Sequence, residues 1–255
     1  MSVTTVVPTL NEEGNIEACL ETLMWADRRV VFDCYSADNT VRLAQEAGAD
    51  VMQHPFENYA QFHNAAMERV GADWILFVDA DERVTPELAA EIQAVIAKRE
   101  AEVLWWIPRH NYVFGRLTKR AGWYPDYQPR LLRPGRVHWE RPVHEIAIAD
   151  GPEGYLENPL IHHNYDDLAD FRARQERYNR YDADILFREG VRPRGYTPYT
   201  QFLRHFWWRF IALRGVGEGF HGFRLSLLTA YYELKKYRRL ADLWRRQQPG
   251  RPSPK

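Results

Sequence analysis

The chain has 255 residues, of which 45% are hydrophobic and 14% aromatic, with a formal net charge of −1. That is enough for one large domain, or one domain with an appendage. Two cysteines, Cys19 and Cys34, exclude a disulfide framework and make a reduced, cytosolic setting the expectation. No apolar run approaches the roughly 18 residues needed to span a bilayer, and the sequence opens on a strand pattern, not on a secretory leader.

The first hundred residues alternate strand and helix signals. A strand over 3–8 precedes a helix over 11–23 with Asn11 as its cap. A second strand over 28–33 leads to a helix over 39–47, capped by Asp38 and stopped at Gly48. A short strand over 49–53, a helix over 58–70 and the very apolar strand 73–79 follow. Thr85-Pro86 then pairs a capping residue with proline at the first helical position and opens a helix over 86–100. Such βαβ alternation predicts a parallel sheet covered by helices, with ligands bound beyond the carboxyl ends of the strands. Strand patterns over 102–115, 126–133 and 141–149 are separated by Gly and Pro and suggest antiparallel additions. Helices are predicted over 167–190, 199–215 and 220–244, and the Pro-rich 246–255 reads as a disordered tail.

Near-neutrality hides an asymmetry. From Gln201 onward there are 12 Lys/Arg against 3 Asp/Glu, leaving 22 against 32 before it. A basic, aromatic tail on an acidic body suits an anionic partner. In 201–214, Phe202, Phe206 and Phe210 form one row and Leu203, Trp207 and Ile211 the next, with Arg204, His205 and Arg209 on the opposite face. That helix can lie on an anionic membrane surface, or pack its stripe on the protein or on a second copy of the chain. Nucleic acid is not expected, because no recognised module accompanies the charge.

The fourth strand ends abruptly in Asp79-Ala80-Asp81-Glu82. Two aspartates two apart on an extended strand end point the same way, and hard oxygen donors so placed suit Mg²⁺ or Mn²⁺ shared with substrate phosphates. The plain alternative is a solvated turn capping the next helix; the buried strand before it favours the cation. Arg83 reads as added positive charge or as a surface ion pair with Glu82 or Glu87.

Taken in order, "VVPTLNEEGNI", "DCYSADNT", "NAA" and "LFVDADE" resemble the family-2 glycosyltransferases of the GT-A fold. "GWYPDYQPRLLR", the later "VHE", and "GVGEGFHGFRLSLLTAYYELKKY" resemble the bacterial lipopolysaccharide-core β-glucosyltransferase group within it. The resemblance implies an α/β, Rossmann-like mixed sheet flanked by helices, with a C-terminal helical extension. It implies a catalytic domain over 1–165, divided into a nucleotide-sugar half (1–100) and an acceptor half (101–165), then a helical region over 166–245.

It also implies roles. Pro8, Thr9, Glu12, Asp33, Gln61, Asn64 and Asp79 would hold a nucleotide-diphosphate sugar; for Asn64 a purely structural bond to a neighbouring loop is equally open. Cys34 and Leu10 replace the Asp and the aromatic residue many members carry there, and a UDP-sugar remains the expected donor. Asp81 would ligate Mg²⁺ or Mn²⁺, with Asp79 and His162 as further candidates. Asp126 leads as the general base that takes a proton from the hydroxyl of a lipid-linked saccharide, and Glu145 is its rival. Gln128, Arg130 and His144 fall on the acceptor or phosphate side. The expected enzyme is thus a metal-dependent inverting hexosyltransferase, glucose from UDP-glucose being the expected transfer. It would sit in the cytoplasm, on the inner face of the cytoplasmic membrane. A nucleotidyltransferase would show a Gly-rich basic phosphate loop in place of "PTLNEEGN", and a non-catalytic scaffold would have lost its carboxylates.

Overall fold

The computed structural model describes residues 1–98, 101–141 and 145–247. They form two compact units: Met1–Asn111 with Pro125–Asn164, and Tyr112–Tyr124 with the chain from Tyr165 onward. The segment 112–124 therefore clusters with the helices, although it lies within the stretch expected as the acceptor half.

The first unit begins with the predicted alternation: β1 (Val3–Thr9), α1 (Ile16–Glu21), β2 (Arg28–Asp33), α2 (Thr40–Glu46), β3 (Asp50–Gln53), α3 (Tyr59–Arg69) and β4 (Trp74–Phe77). A two-residue β5 (Glu82–Arg83), α4 (Pro86–Ala97) and the long β6 (Leu104–Val113) follow. After β7 (Arg116–Leu117), which belongs to the second unit, come β8 (Tyr127–Leu132), β9 (Val137–Glu140), β10 (Ile146–Ala149), β11 (Glu153–Tyr155) and β12 (Leu160–Tyr165). The strand order is β3-β2-β1-β4-β8-β6-β12-β5. β1 to β4 pair in parallel, and β8 runs antiparallel to both β4 and β6. This is the Rossmann-like mixed sheet flanked by helices that the resemblance implies. β9 and β10 form a separate hairpin instead of joining it.

Burial explains why β4 is so apolar. Trp74 and Leu76 enter one core with Val3, Val7, Leu20 and Ile92, while Ile75 and Phe77 enter the other with Val6, Phe32 and Phe62. Both faces of the strand are covered, so alternation gives way to a continuous hydrophobic run. Each such side chain contributes about 1.5–3 kcal/mol on burial, which holds the strand end rigid.

Helix starts differ in detail from expectation. Thr85 caps α4 by accepting from the Leu88 N–H at 3.2 Å, as predicted. Asn11 is not a cap: it has φ +58, its side chain accepts from the Ala37 N–H at 2.8 Å, and α1 begins only at Ile16. An Asn side chain that bonds a neighbouring loop tolerates the left-handed region and stops the helix from starting there.

The second unit contains α5 (Leu168–Arg188), capped by Asp167, then α6 (Thr197–Trp207) and α7 (Gly219–Gln247). Its core joins Val113, Tyr165, Phe171, Leu225 and Tyr232. The predicted helix 199–215 is not continuous: α6 passes into one π-helical stretch, Trp208–Ala212, and a 3₁₀ turn, Gly215–Glu218. Two glycines permit the tight return. A Cβ on Gly222 would stand 2.0 Å from the Gly215 carbonyl oxygen, and one on Gly215 would stand 2.7 Å from that of Arg209. The expected face assignment is corrected here. Arg209 turns inward, donating to the Ala121 carbonyl at 2.8 Å and lying over the Trp123 ring. Of the two apolar rows, that of Leu203, Trp207 and Ile211 faces solvent, at 64%, 59% and 48% exposure. Among the described residues no helix is long and apolar enough to cross a membrane. The tail expected over 246–255 begins inside α7, and its remainder, like His144, lies outside the described residues.

Candidate active site

Beyond Phe77 the chain does not stay extended. The Glu82 N–H donates to the Asp79 carbonyl at 2.8 Å, closing a turn, so the two aspartates part company instead of pointing together. Asp79 meets Arg130, with Nη1 on Oδ1 at 3.2 Å and Nη2 on Oδ2. Glu82 is fully buried beneath this pair. One of its oxygens accepts from Arg130 at 2.6 Å and from Arg109 at 3.4 Å, and the other accepts from the Asp79 N–H at 3.0 Å. Arg109 extends the chain of charges to Asp126 through Nη2 at 2.6 Å and Nε at 2.9 Å. Asn111 and Gln128 also donate to Asp126, at 3.0 and 2.9 Å.

The network returns to the strand end through histidine. β5 pairs with β12 so that Glu82 stands opposite His162. His162 Nδ1 lies 2.6 Å from Asn111 Oδ1, and its Nε2 lies 3.5 Å from Asp81 Oδ2. Because Asn111 spends its Nδ2 on an ionised carboxylate, its oxygen faces the imidazole, which places the ring proton on Nδ1. Nε2 then turns a lone pair toward the Asp81 carboxylate. In the neutral imidazole, a ring-nitrogen lone pair beside a carboxylate oxygen is a donor set that suits a divalent cation. Among the described residues no three His, Cys, Asp or Glu gather into a metal cluster. The protein therefore offers two donors, and the rest of a Mg²⁺ or Mn²⁺ shell would come from water and a bound diphosphate. Asp79 is committed to Arg130.

Electrostatics follow from the packing. Burial opposes ionisation of Asp79, but the Arg130 guanidinium holds its carboxyl well below the usual range. Burial likewise works against Asp126, and Arg109 with Asn111 overcomes it, so that carboxyl too is lowered. Burial pushes Glu82 up, with neighbouring Asp79 adding to the shift against Arg130. The buried Cys19 thiol, which donates to the Asp79 carbonyl at 3.6 Å, is pushed up to about 12 and is inert.

The nucleotide-side candidates lie at the ends of β1 and β2. Asp33 is completely buried and accepts from Thr9 Oγ1 at 3.0 Å, the Ser36 N–H at 2.9 Å and Gln53 at 3.1 Å. Pro8 pairs with Phe32 one residue earlier. Glu12 accepts from Asn15 at 3.0 Å while its N–H donates to Thr40 Oγ1 at 2.8 Å. Gln61 is exposed, with its side chain held by Asn58. Asn64 is a clamp: it donates to the Trp139 carbonyl at 2.9 Å and accepts from the Trp139 N–H at 2.8 Å. Glu145 is half-buried just before β10, and among the described residues none of the ion pairs around Asp126 includes it.

Sequence reasoning missed Arg109 and Asn111. Their signal was present, since two polar residues at i and i+2 interrupt the apolar β6 on one face. Arg83 makes neither expected ion pair; it donates to the carbonyls of Ala80 at 2.8 Å and Glu82 at 2.7 Å and braces the turn.

Comparison with known proteins agrees with this architecture. The family model for glycosyl transferase family 2 matches residues 4–150. The chain is 29% identical over 242 residues to a lipopolysaccharide core biosynthesis glycosyltransferase, LpsC, of Rhizobium meliloti, covering 87% of each chain. An uncharacterized glycosyltransferase of Rickettsia typhi is 32% identical over 262 residues, covering 94% of this chain and 87% of its own. Among solved structures, residues 1–349 of S. aureus TarS align with a TM-score of 0.48 and 15% identity over 98% of this chain and 93% of that one. With the model spanning more than half of its length, this chain belongs to glycosyl transferase family 2.

Proposed function

We propose that the protein is an inverting hexosyltransferase that moves glucose from UDP-glucose to a hydroxyl of a lipid-linked saccharide of the lipopolysaccharide or lipooligosaccharide inner core. The likeness to a lipopolysaccharide core enzyme supports the substrate class. The observation that carries the reading is the facing pair Asp81 and His162, tied through Asn111 to Asp126. In this reading Asp81 and His162 hold Mg²⁺ or Mn²⁺, which when bound would stabilise the charge on the departing diphosphate. Arg130 keeps Asp79 ionised and oriented at the turn. The acceptor oxygen bonds to C1 as the C1–diphosphate oxygen bond breaks on the opposite face, and the hydroxyl proton passes to Asp126. That carboxyl is held below the usual aspartate range and is partly exposed, and among the described residues its Oδ1 accepts from the Gln128 amide. Asp33, Thr9, Pro8 and Glu12 form the donor side.

The outward row of Leu203, Trp207 and Ile211, with Phe220 at 79% exposure, supports peripheral attachment to the cytoplasmic membrane, where a lipid-linked acceptor resides. The same row can pair with a second copy, which gel filtration distinguishes.

Thermal shift with nucleotide diphosphates tests the donor side: UDP with Mn²⁺ should stabilise the protein, and the gain should vanish in Asp81→Asn and His162→Ala. Failure of every nucleotide to stabilise it would refute the reading. Asp126→Asn should abolish transfer while preserving UDP binding; near-normal turnover would assign the base to Glu145.

A further inference from the structure

The second unit contains a cavity of about 590 Å³ remote in sequence from every residue of the proposed transfer site. Its walls are the link between α5 and α6 and the last turns of α7. Four arginines line it, Arg192, Arg194, Arg238 and Arg245, against one carboxylate, Asp242, which is paired to Arg245. Arg192, Arg194 and Arg238 have no carboxylate within 4 Å among the described residues and are exposed. Three exposed positive charges around one concavity make a local positive potential that attracts an anion.

The arginines are also held in place. Arg192 lies over the Trp244 ring at 4.5 Å, and Arg238 over Tyr199 at 5.5 Å. Arg194 donates to the Tyr196 hydroxyl at 2.8 Å. The link that carries two of them is pinned to α7, because Trp244 Nε1 donates to the Val191 carbonyl at 2.7 Å. Pro193 between them restricts the backbone further, and Thr197 closes the loop by accepting from the Arg194 N–H at 2.9 Å. Arg238 also donates to the Tyr199 hydroxyl at 3.3 Å, and the remaining N–H groups of the three guanidiniums suit the oxygen acceptors of a phosphate.

The cavity opens at the start of the outward apolar row. Tyr199, which lines it, stands one turn before Leu203 on α6, followed four residues later by Trp207 at the end of α6 and then by Ile211 in the π-helical stretch. From this juxtaposition we infer that the cavity is a binding site for a phosphate group, and that the group is the headgroup phosphate of a membrane lipid whose chains lie along the apolar row. The inference sharpens the membrane reading above and is independent of the transfer chemistry.

The test uses the full chain and two triple variants of equal charge loss. Arg192→Gln/Arg194→Gln/Arg238→Gln empties the cavity of its unpaired cations; Arg204→Gln/Arg239→Gln/Arg246→Gln removes exposed cations outside it. Vesicles of phosphatidylcholine doped with phosphatidate, assayed by co-sedimentation, should lose affinity for the cavity variant at least tenfold more than for the control variant. Titration with inorganic phosphate, followed by calorimetry, is the second arm. Phosphate binding lost in the cavity variant, without vesicle binding by the wild type, assigns the same site to a free phosphate. Equal vesicle losses in the two variants, together with no calorimetric binding of phosphate, would overturn the site in favour of diffuse surface attraction. Donor hydrolysis should be unchanged in both variants, so failure here leaves the transferase reading intact.

Discussion

Replacing Arg130 with methionine tests whether the buried charge network holds the strand end in place. Arg130 is 6% exposed and Glu82 is fully buried. The substitution removes the guanidinium 2.6 Å from Glu82 and leaves Arg109, at 3.4 Å, as that carboxylate's remaining cation. Breaking a buried pair by deleting one partner costs about 3–5 kcal/mol, because the other charge stays behind without compensation. At about 2–4 °C per kcal/mol for a chain of this size, the melting temperature should fall by about 6–20 °C. The double variant Arg130→Met/Glu82→Gln removes the fully buried one of the two carboxylates that Arg130 holds, leaving Asp79, and should recover about 1–3 kcal/mol, the coupling expected of groups in direct contact. Circular dichroism in urea and on heating, without metal or nucleotide, supplies both numbers. A single variant within 1 kcal/mol of wild type, or a double variant whose loss equals the sum of the two singles, would refute the argument.

Three further outcomes are expected. Asn64→Ala deletes both hydrogen bonds that hold the Trp139 backbone and should cost about 1–3 kcal/mol, while leaving UDP affinity unchanged; a selective loss of UDP binding at full stability would return Asn64 to the donor pocket. The Asp79 and Asp126 carboxyls are both lowered in the folded protein, so the folded state binds protons less readily than the unfolded chain. Their contribution is complete above about pH 4, the ordinary aspartate value, and drains away as pH falls through the folded values; a urea midpoint that stays flat between pH 6 and pH 3 would contradict this. Leu203→Gln/Trp207→Gln acts on exposed positions and should leave the melting temperature within about 2–4 °C of wild type while weakening vesicle co-sedimentation; unchanged membrane binding would remove α6 from the interface.

Much of the first unit was legible because local signals and tertiary packing agree there. The apolar run of β4, the Thr85-Pro86 start of α4 and the βαβ rhythm all say the same thing that the cores require. Legibility failed where a residue's role depends on a distant partner. Arg109 and Asn111 acquire meaning only through Asp126 and His162, which lie 17 and 51 residues away in the chain. β12 was missed because two histidines and an asparagine dilute its alternation, and β5 because two residues carry no periodicity. The amphipathic reading of α6 placed the right rows side by side but put Arg209 on the polar face, from which it turns inward. Periodicity locates a stripe without saying which neighbour claims it, and Arg209 was claimed by Ala121 and Trp123.

The pairing of β5 with β12 has a consequence for how the protein is made. Glu82 and Arg83 become a strand only when Ile161 and His162 arrive beside them. A ribosome adding roughly 5–20 residues per second exposes β1 to β4 seconds before that partner emerges. During that interval the nascent chain carries three carboxylates at a strand end with neither Arg109, Arg130 nor His162 to meet them. The first four strands therefore do not complete the proposed site by themselves: the partner of Asp81 arrives with the last strand of the unit, and a chain released before His162 would have the sheet without the Asp81–His162 pair.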